Sequence, residues 1–287
     1  MEVKIGVLSI YFPDASSSDF FINEDLAEFL GFETSQEAAK YVKKKLKDKM
    51  EWSIKKVKID YETNGIFIAS KKGEVIVEAA ILINELINFE ISKTDIIEVI
   101  EVVRNFKRPK KQKWTVGDIF YVPLSNGSFS YGQIIKDNDG FSTCCLFKMN
   151  SNEIKDINSI ITTNIVAVLP ISPNSLDNHN WKIIGSTEVR INVEEVVKGQ
   201  PKKYKRRITQ STFPDESLRN LSEAIIGIRP WNENVDEEYY DKMLLPDFTK
   251  PKSLLYLTRD EKINRFKEMG YDLNELENAF NKTPDFY

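Results

Sequence analysis

Gly117-Asp118-Ile119-Phe120-Tyr121-Val122-Pro123-Leu124 leads into Ser125-Asn126-Gly127-Ser128 and then into Phe129-Ser130-Tyr131-Gly132-Gln133-Ile134-Ile135. Two apolar runs joined at Asn-Gly read as a β-hairpin, because Asn and Gly both tolerate the positive φ that tight hairpin turns require. Further short runs follow, Phe141–Phe147, Ile165–Leu169 closed by Pro170, and Trp181–Ile184 closed by Gly185. Thr187, Val189 and Ile191 then alternate with Glu188, Arg190 and Asn192. Strands this short and this closely spaced predict a small, strongly bent β-sheet or barrel over residues 114–257.

The wording of this stretch is distinctive. Gly117-Asp118-Ile119-Phe120 with Pro123-Leu124, then Tyr131-Gly132, then Trp181-Lys182-Ile183-Ile184-Gly185, resembles the immunity protein 26 family of bacterial polymorphic toxin systems. The resemblance covers roughly residues 113–220. It implies a cytoplasmic, non-enzymatic immunity protein that binds a cognate bacterial toxin domain, with no cofactor. Gly117, Asp118, Gly132, Trp181 and Gly185 carry it, and as glycines and a tryptophan they are read as residues that make the fold.

Towards the N-terminus the period changes. Residues 3–12 read as a strand, and Thr34 with Glu37 caps a helix carrying Ala38, Tyr41, Val42 and Leu46. Ile54–Tyr61 alternates as a strand, Asn64-Gly65 turns the chain, and Ile66–Ala69 returns. Helices follow at Val75–Leu86 and, capped by Ser92 and Asp95, at Ile96–Val103. Strand–helix–strand–strand–helix is the order of the split βαβ-like sandwiches, so residues 1–103 read as one small α+β domain. Arg104–Lys113 holds six basic residues and Pro109 and reads as a linker, with a nucleic-acid arm as the alternative. Residues 258–287 read as a two-helix tail, opened by a Thr258–Glu261 cap and continued from Asp272.

Composition bounds the chemistry. With 287 residues, 41% hydrophobic, 29% charged and a net charge of −4, the chain reads as a soluble two-domain protein without a global pull towards polyanions. No run approaches the roughly 18 apolar residues of a membrane span, and the N-terminus lacks the pattern of a secretory signal. Cys144 and Cys145 are the only cysteines. As strand neighbours they point to opposite faces, which disfavours a mutual disulfide and fits reducing cytosol; a vicinal redox switch is the alternative.

Catalytic groups are sparse. His179 is the only histidine and lies in the polar run Asp177–Asn180, so a Ser or Cys nucleophile has little choice of base. One histidine and two adjacent cysteines cannot build a zinc site, and no phosphate-binding glycine loop occurs. The pairs Glu194-Glu195 and Glu237-Glu238 diverge on any regular element, poor geometry for acid and base across one bond.

Two charge runs remain. Lys202-Lys203-Tyr204-Lys205-Arg206-Arg207 sets five cations around a tyrosine, a patch that would suit single-stranded nucleic acid as an alternative function. Glu233, Asp236, Glu237, Glu238 and Asp241 interleave with Trp231, Tyr239 and Tyr240. Acids among large aromatics are what an inhibitor of a basic enzyme, such as a nuclease, would present: Trp231, Tyr239 and Tyr240 as anchors, Glu237, Glu238 and Asp241 as the steering rim. Aromatics turned to the core are the alternative.

Overall fold

A computed structural model describes residues 1–62, 65–138, 140–199 and 212–269, a mixed α+β chain with two antiparallel five-stranded sheets. The chain divides into two compact units between Lys111 and Gln112.

The first unit has strands β1 (Glu2–Ile5), β2 (Leu8–Tyr11), β3 (Phe20–Glu24), β4 (Lys58–Glu62) and β5 (Gly65–Ser70), in the order β1-β2-β3-β5-β4. Its helices are α1 (Leu26–Leu30), α2 (Ser35–Lys49), α3 (Gly73–Leu86) and α4 (Lys93–Asn105), with a 3-10 turn at Ser53–Lys56. The expected strand–helix–strand–strand–helix run is present, but its first strand is β3. Residues 3–12 form a hairpin rather than one strand. Gly6 turns it with φ +61°, and the buried Asn84 of α3 closes it, accepting from Val7 N–H (3.1 Å) and donating to Ile5 O (3.0 Å). A Cβ on Gly6 would meet Asn84 at 2.1 Å, so an uninterrupted side-chain alternation cannot pass through this point. Thr34 and Ser92 accept from Glu37 N–H and Asp95 N–H and so cap α2 and α4 as their sequences require. Phe106, just beyond α4, packs edge-on against Phe12 and Phe20, and Arg108 donates to Asp14 O and Ala15 O.

The second unit is built on β6 (Asp118–Pro123), β7 (Phe129–Asp137), β8 (Ser142–Ser151), β9 (Ile165–Ile171) and β10 (Lys182–Ser186), ordered β10-β6-β7-β8-β9. Around it lie α5 (Ile157–Ile161), α6 (Asn174–Asp177), α7 (Val193–Gly199), α8 (Glu216–Ile225) and α9 (Arg259–Glu268). Bulges in the β7–β8, β8–β9 and β10–β6 pairings bend the sheet. It stays open, so of the two expected forms the bent sheet is observed and the barrel is not. The reason lies at β9, whose outer edge is met by other chain: Ser172 N–H donates to Phe213 O (2.9 Å) and Leu245 N–H to Val166 O (2.9 Å). Those segments cover the edge that a closing β10 would need.

The β6–β7 connection is a longer loop than the expected two-residue turn. Gly127 N–H bonds Leu124 O (3.0 Å), Leu124 N–H bonds Ser128 O (2.9 Å), and Gly127 alone takes positive φ. Asn126 contributes through its side chain, which accepts from Ser128 N–H and Oγ. This is the turn-plus-αL-glycine hairpin, in which Asn supplies an acceptor rather than a backbone conformation.

Both faces of this sheet are buried. Phe120, Ile134, Cys144, Leu146 and Leu169 face a core completed by Trp181, Leu218, Leu221, Trp231 and Tyr240. Ile119, Ile135, Cys145, Phe147 and Val168 face a second core, closed by Ile160 and flanked by Val189, Ile191 and Val196. The 187–192 stretch, expected as a strand, is the cover of that second face and has no ladder partner among the described residues.

Candidate functional site

The acidic and aromatic segment 231–241 lies over the first face of the second sheet, and α8 explains its position. Leu218, Leu221 and Ala224 of α8 pack on the sheet, which buries the neighbouring Glu223. A buried carboxylate must find donors. Glu223 takes Ser125 N–H (2.9 Å) at the tip of the β6–β7 hairpin and Arg229 Nε (3.0 Å). Arg229 then holds Glu233 through Nη1 at 2.9 and 3.0 Å, Arg265 of α9 reaches Glu233 Oε2 at 2.8 Å, and Tyr240 OH donates to Glu233 Oε1. Burial, followed by the Glu233 carboxylate, pushes the Tyr240 phenol well above its ordinary range.

The remaining acids are also engaged. Asp236 pairs with the buried Lys242, Glu237 with the buried Lys262 (3.1 Å), and Asp241 with Lys250 while it accepts from Trp231 Nε1 (3.2 Å). Sequence reasoning identified the acids and missed their counter-ions. Only Arg229–Glu233, four residues apart, carried a local signal; Arg265 and Lys262 arrive from α9.

Two of the three expected anchors are therefore corrected. Trp231 is 1% exposed and Tyr240 is fully buried, their rings 5.4 Å apart, so they are core residues and cannot meet a partner in this arrangement. The driving cause is the apolar sheet face beneath them, which gains more from those rings than water loses. Tyr239 is half-buried, with its hydroxyl 3.1 Å from Ser217 Oγ. Asp241 is partly buried and paired on both oxygens, which removes it from a free steering rim. Glu237 and Glu238 stay at the surface. In the same unit the structure exposes apolar side chains that sequence reasoning did not select: Ile228, Leu255 and Tyr256, the last 57% exposed. They share one ribbon, since Trp231 N–H bonds Leu255 O (2.8 Å) and Asn232 pairs with Leu257.

Gly132, Phe120 and Trp181 form one packing unit. Phe120 lies opposite Gly132 across the β6–β7 ladder, where a Cβ on Gly132 would meet its ring at 2.4 Å. That ring stacks on Trp181 at 5.4 Å and 4°. Gly117, at φ +99°, receives Thr187 N–H on its carbonyl and donates to Ile134 O, while Asp118 accepts from Thr115 N–H. Gly185 sits at the β10 bulge opposite Ile119.

Cys144 and Cys145 face the two separate cores, and both are buried free thiols. They point to opposite faces as strand neighbours must, and neither reaches the surface because the second face is covered as well. Burial pushes both thiols up, Cys145 to about 12. A thiol reagent should therefore leave the native protein unmodified and label both cysteines once urea unfolds it; fast labelling of native protein would show that the second core opens.

His179 occupies a positive-φ position (φ +60°) at the turn after α6, with N–H to Leu176 O. Glu194 and Glu195 are exposed on α7. Among the described residues, no group of three or more His, Cys, Asp and Glu side chains is placed to hold a metal ion, and no helix is long and apolar enough to cross a membrane. The basic run Lys202, Lys203, Tyr204, Lys205, Arg206 and Arg207 and the second tail helix lie outside the described residues.

Residues 115–213 match the family model described as Immunity protein 26. The match runs from the turn before β6 to Phe213, the residue that meets the edge of β9. No curated protein and no solved structure matches the chain. The family suggests an immunity protein of a toxin system, with a cognate toxin as its partner and a non-enzymatic role.

Proposed function

We propose that this protein neutralises a cognate bacterial toxin domain by stoichiometric binding in the cytoplasm, covering the toxin's active cleft without chemistry of its own. The family match over the central sheet is the observation that carries the reading. The contact we assign to the 228–257 segment, which exposes Ile228, Leu255 and Tyr256 and also carries the exposed Glu237 and Glu238 and the half-buried Tyr239. A rigid tyrosine and leucine can desolvate a partner at low entropy cost, while the two glutamates steer a basic toxin such as a nuclease.

Protection of the producing cell requires very little free toxin, hence a Kd near 1 nM, about −12 kcal/mol. Titration calorimetry with the cognate toxin domain should give a 1:1 complex in that range. Tyr256→Ala with Leu255→Ala should weaken it at least tenfold with an unchanged unfolding midpoint. Protection of cells in the absence of any complex, or covalent change of the toxin on mixing, would overturn the reading.

A further inference from the structure

The first unit carries a surface of opposite sign to the molecule as a whole. Residues 40–58 hold nine lysines, no arginine and two acids, in a chain of net charge −4. The cause is local: α2 spends Ala38, Ala39, Val42 and Leu46 on the core, which turns Lys40, Lys43, Lys44 and Lys47 to solvent. After the Ser53–Lys56 turn, β4 runs beside α2 as the edge strand of its sheet.

Between these elements lies an open groove of about 580 Å³. Lys43 and Lys47 enter it from α2, Lys55 from the turn and Lys58 from β4, with Ile54 and Val57 as apolar lining and Glu51 and Asp60 as its acids. Lys43 and Lys47 are one helical turn apart on the same face. Lys58 pairs with Asp19 (2.9 Å), whereas Lys43, Lys47 and Lys55 have no ion pair with a described residue. Next to the groove, Trp52 is 65% exposed, and Lys56 Nζ lies 4.0 Å from its ring centroid.

We propose that this groove binds single-stranded nucleic acid without sequence preference, its lysines on successive phosphates and Trp52 stacking against a base. Several features of the groove favour that occupant. Lysine without arginine suits phosphates as point charges, whereas protein interfaces enrich arginine and deplete lysine. An exposed indole can stack only on an unpaired base, which selects single strands over duplex. A membrane would need an apolar helix face, and that of α2 is already buried. None of this requires toxin binding.

Fluorescence anisotropy of the full chain with a labelled twelve-residue oligouridine, no toxin present, tests the proposal. Four lysine–phosphate contacts predict a log–log salt slope near −2.8, about a 50-fold loss of affinity between 50 and 200 mM salt. Substituting Lys43→Glu, Lys47→Glu and Lys55→Glu together should flatten the slope to about −0.7, and Trp52→Ala should weaken binding about fivefold at unchanged slope. Circular dichroism checks that each variant is folded. The proposal is overturned by absence of binding at 50 mM salt or by equal binding of a duplex, a polyglutamate peptide or phosphatidylserine vesicles. It is equally overturned by binding that responds to charge reversal at Lys202, Lys203 and Lys205 instead of the groove lysines.

Discussion

Replacing Arg229 by alanine should destabilise the second unit by about 3–5 kcal/mol at pH 7, the range for stripping the partner from a buried charge. Glu223 is 3% exposed and Glu233 is buried, and the Arg229 guanidinium bridges both, at 3.0 Å and at 2.9 and 3.0 Å. Arg265 still holds Glu233 in the variant, but Glu223 is left with Ser125 as its partner, so the tip of the β6–β7 hairpin loosens with it. The effect also has a direction in pH. Burial raises the Glu223 carboxyl, yet the Ser125 N–H and Arg229 outweigh burial, and the group lies below the ordinary glutamate range. The stabilisation it gives is present above the unfolded value, about 4.3, and is lost as pH falls through the lower folded value. Without Arg229 burial dominates, the carboxyl protonates more readily, and the difference between variant and wild type narrows from pH 7 to pH 4. Adding Glu223→Gln and Glu233→Gln should recover much of the loss. Urea unfolding followed by tryptophan emission reads the right region, because Trp114, Trp181 and Trp231 belong to the second unit and only Trp52 to the first. A loss below about 1 kcal/mol that ignores pH would mean the network behaves as a solvated surface pair.

How much of this was readable in the sequence differs by element. The β6–β7 hairpin was legible because Asn126-Gly127 interrupts two apolar runs; the loop type was not, since Asn126 acts through its side chain. Helix caps at Thr34, Ser92 and Thr258 were legible because capping is a contact over three residues, and the Thr258–Glu261 box is reciprocal as read. The turn at Gly6 was hidden because its closing group, Asn84, comes from a helix far along the chain. Burial of both sheet faces was hidden for a similar reason. Phe141–Phe147 reads as one apolar run, and whether Cys145 faces water depends on covers supplied by α5 and residues 189–196. In the 231–241 segment the composition showed that acids and aromatics occur together. Which of them point outward was decided by Arg229, Lys242, Lys250, Lys262 and Arg265, whose distances from their acids fit no local rule apart from the four-residue spacing of Arg229 and Glu233.

Trp231→Ala should lower the unfolding free energy of the second unit by about 3–5 kcal/mol, with Trp181→Ala in the same range. Both rings are held on more than one side and leave space that neighbours cannot easily refill. Trp231 packs on Tyr240, donates to Asp241 Oδ2 at 3.2 Å and lies under Lys250 Nζ, 5.2 Å from its centroid. Its loss therefore frees the Asp241–Lys250 pair from its anchor and undercuts the ring beside Glu233. Trp181 supports the Phe120 ring, which in turn fills the space above Gly132, so its removal unsettles the β6–β7 ladder itself. The contrast with the exposed ribbon separates fold from contact. Tyr256→Ala should move stability by less than about 0.5 kcal/mol, as surface changes do, and still weaken the toxin complex. Urea midpoints and calorimetric titration at a temperature where every variant is folded give both readouts. A Trp231→Ala protein of wild-type stability that no longer bound toxin would place that indole at the interface, and would require the segment to open before it meets its partner.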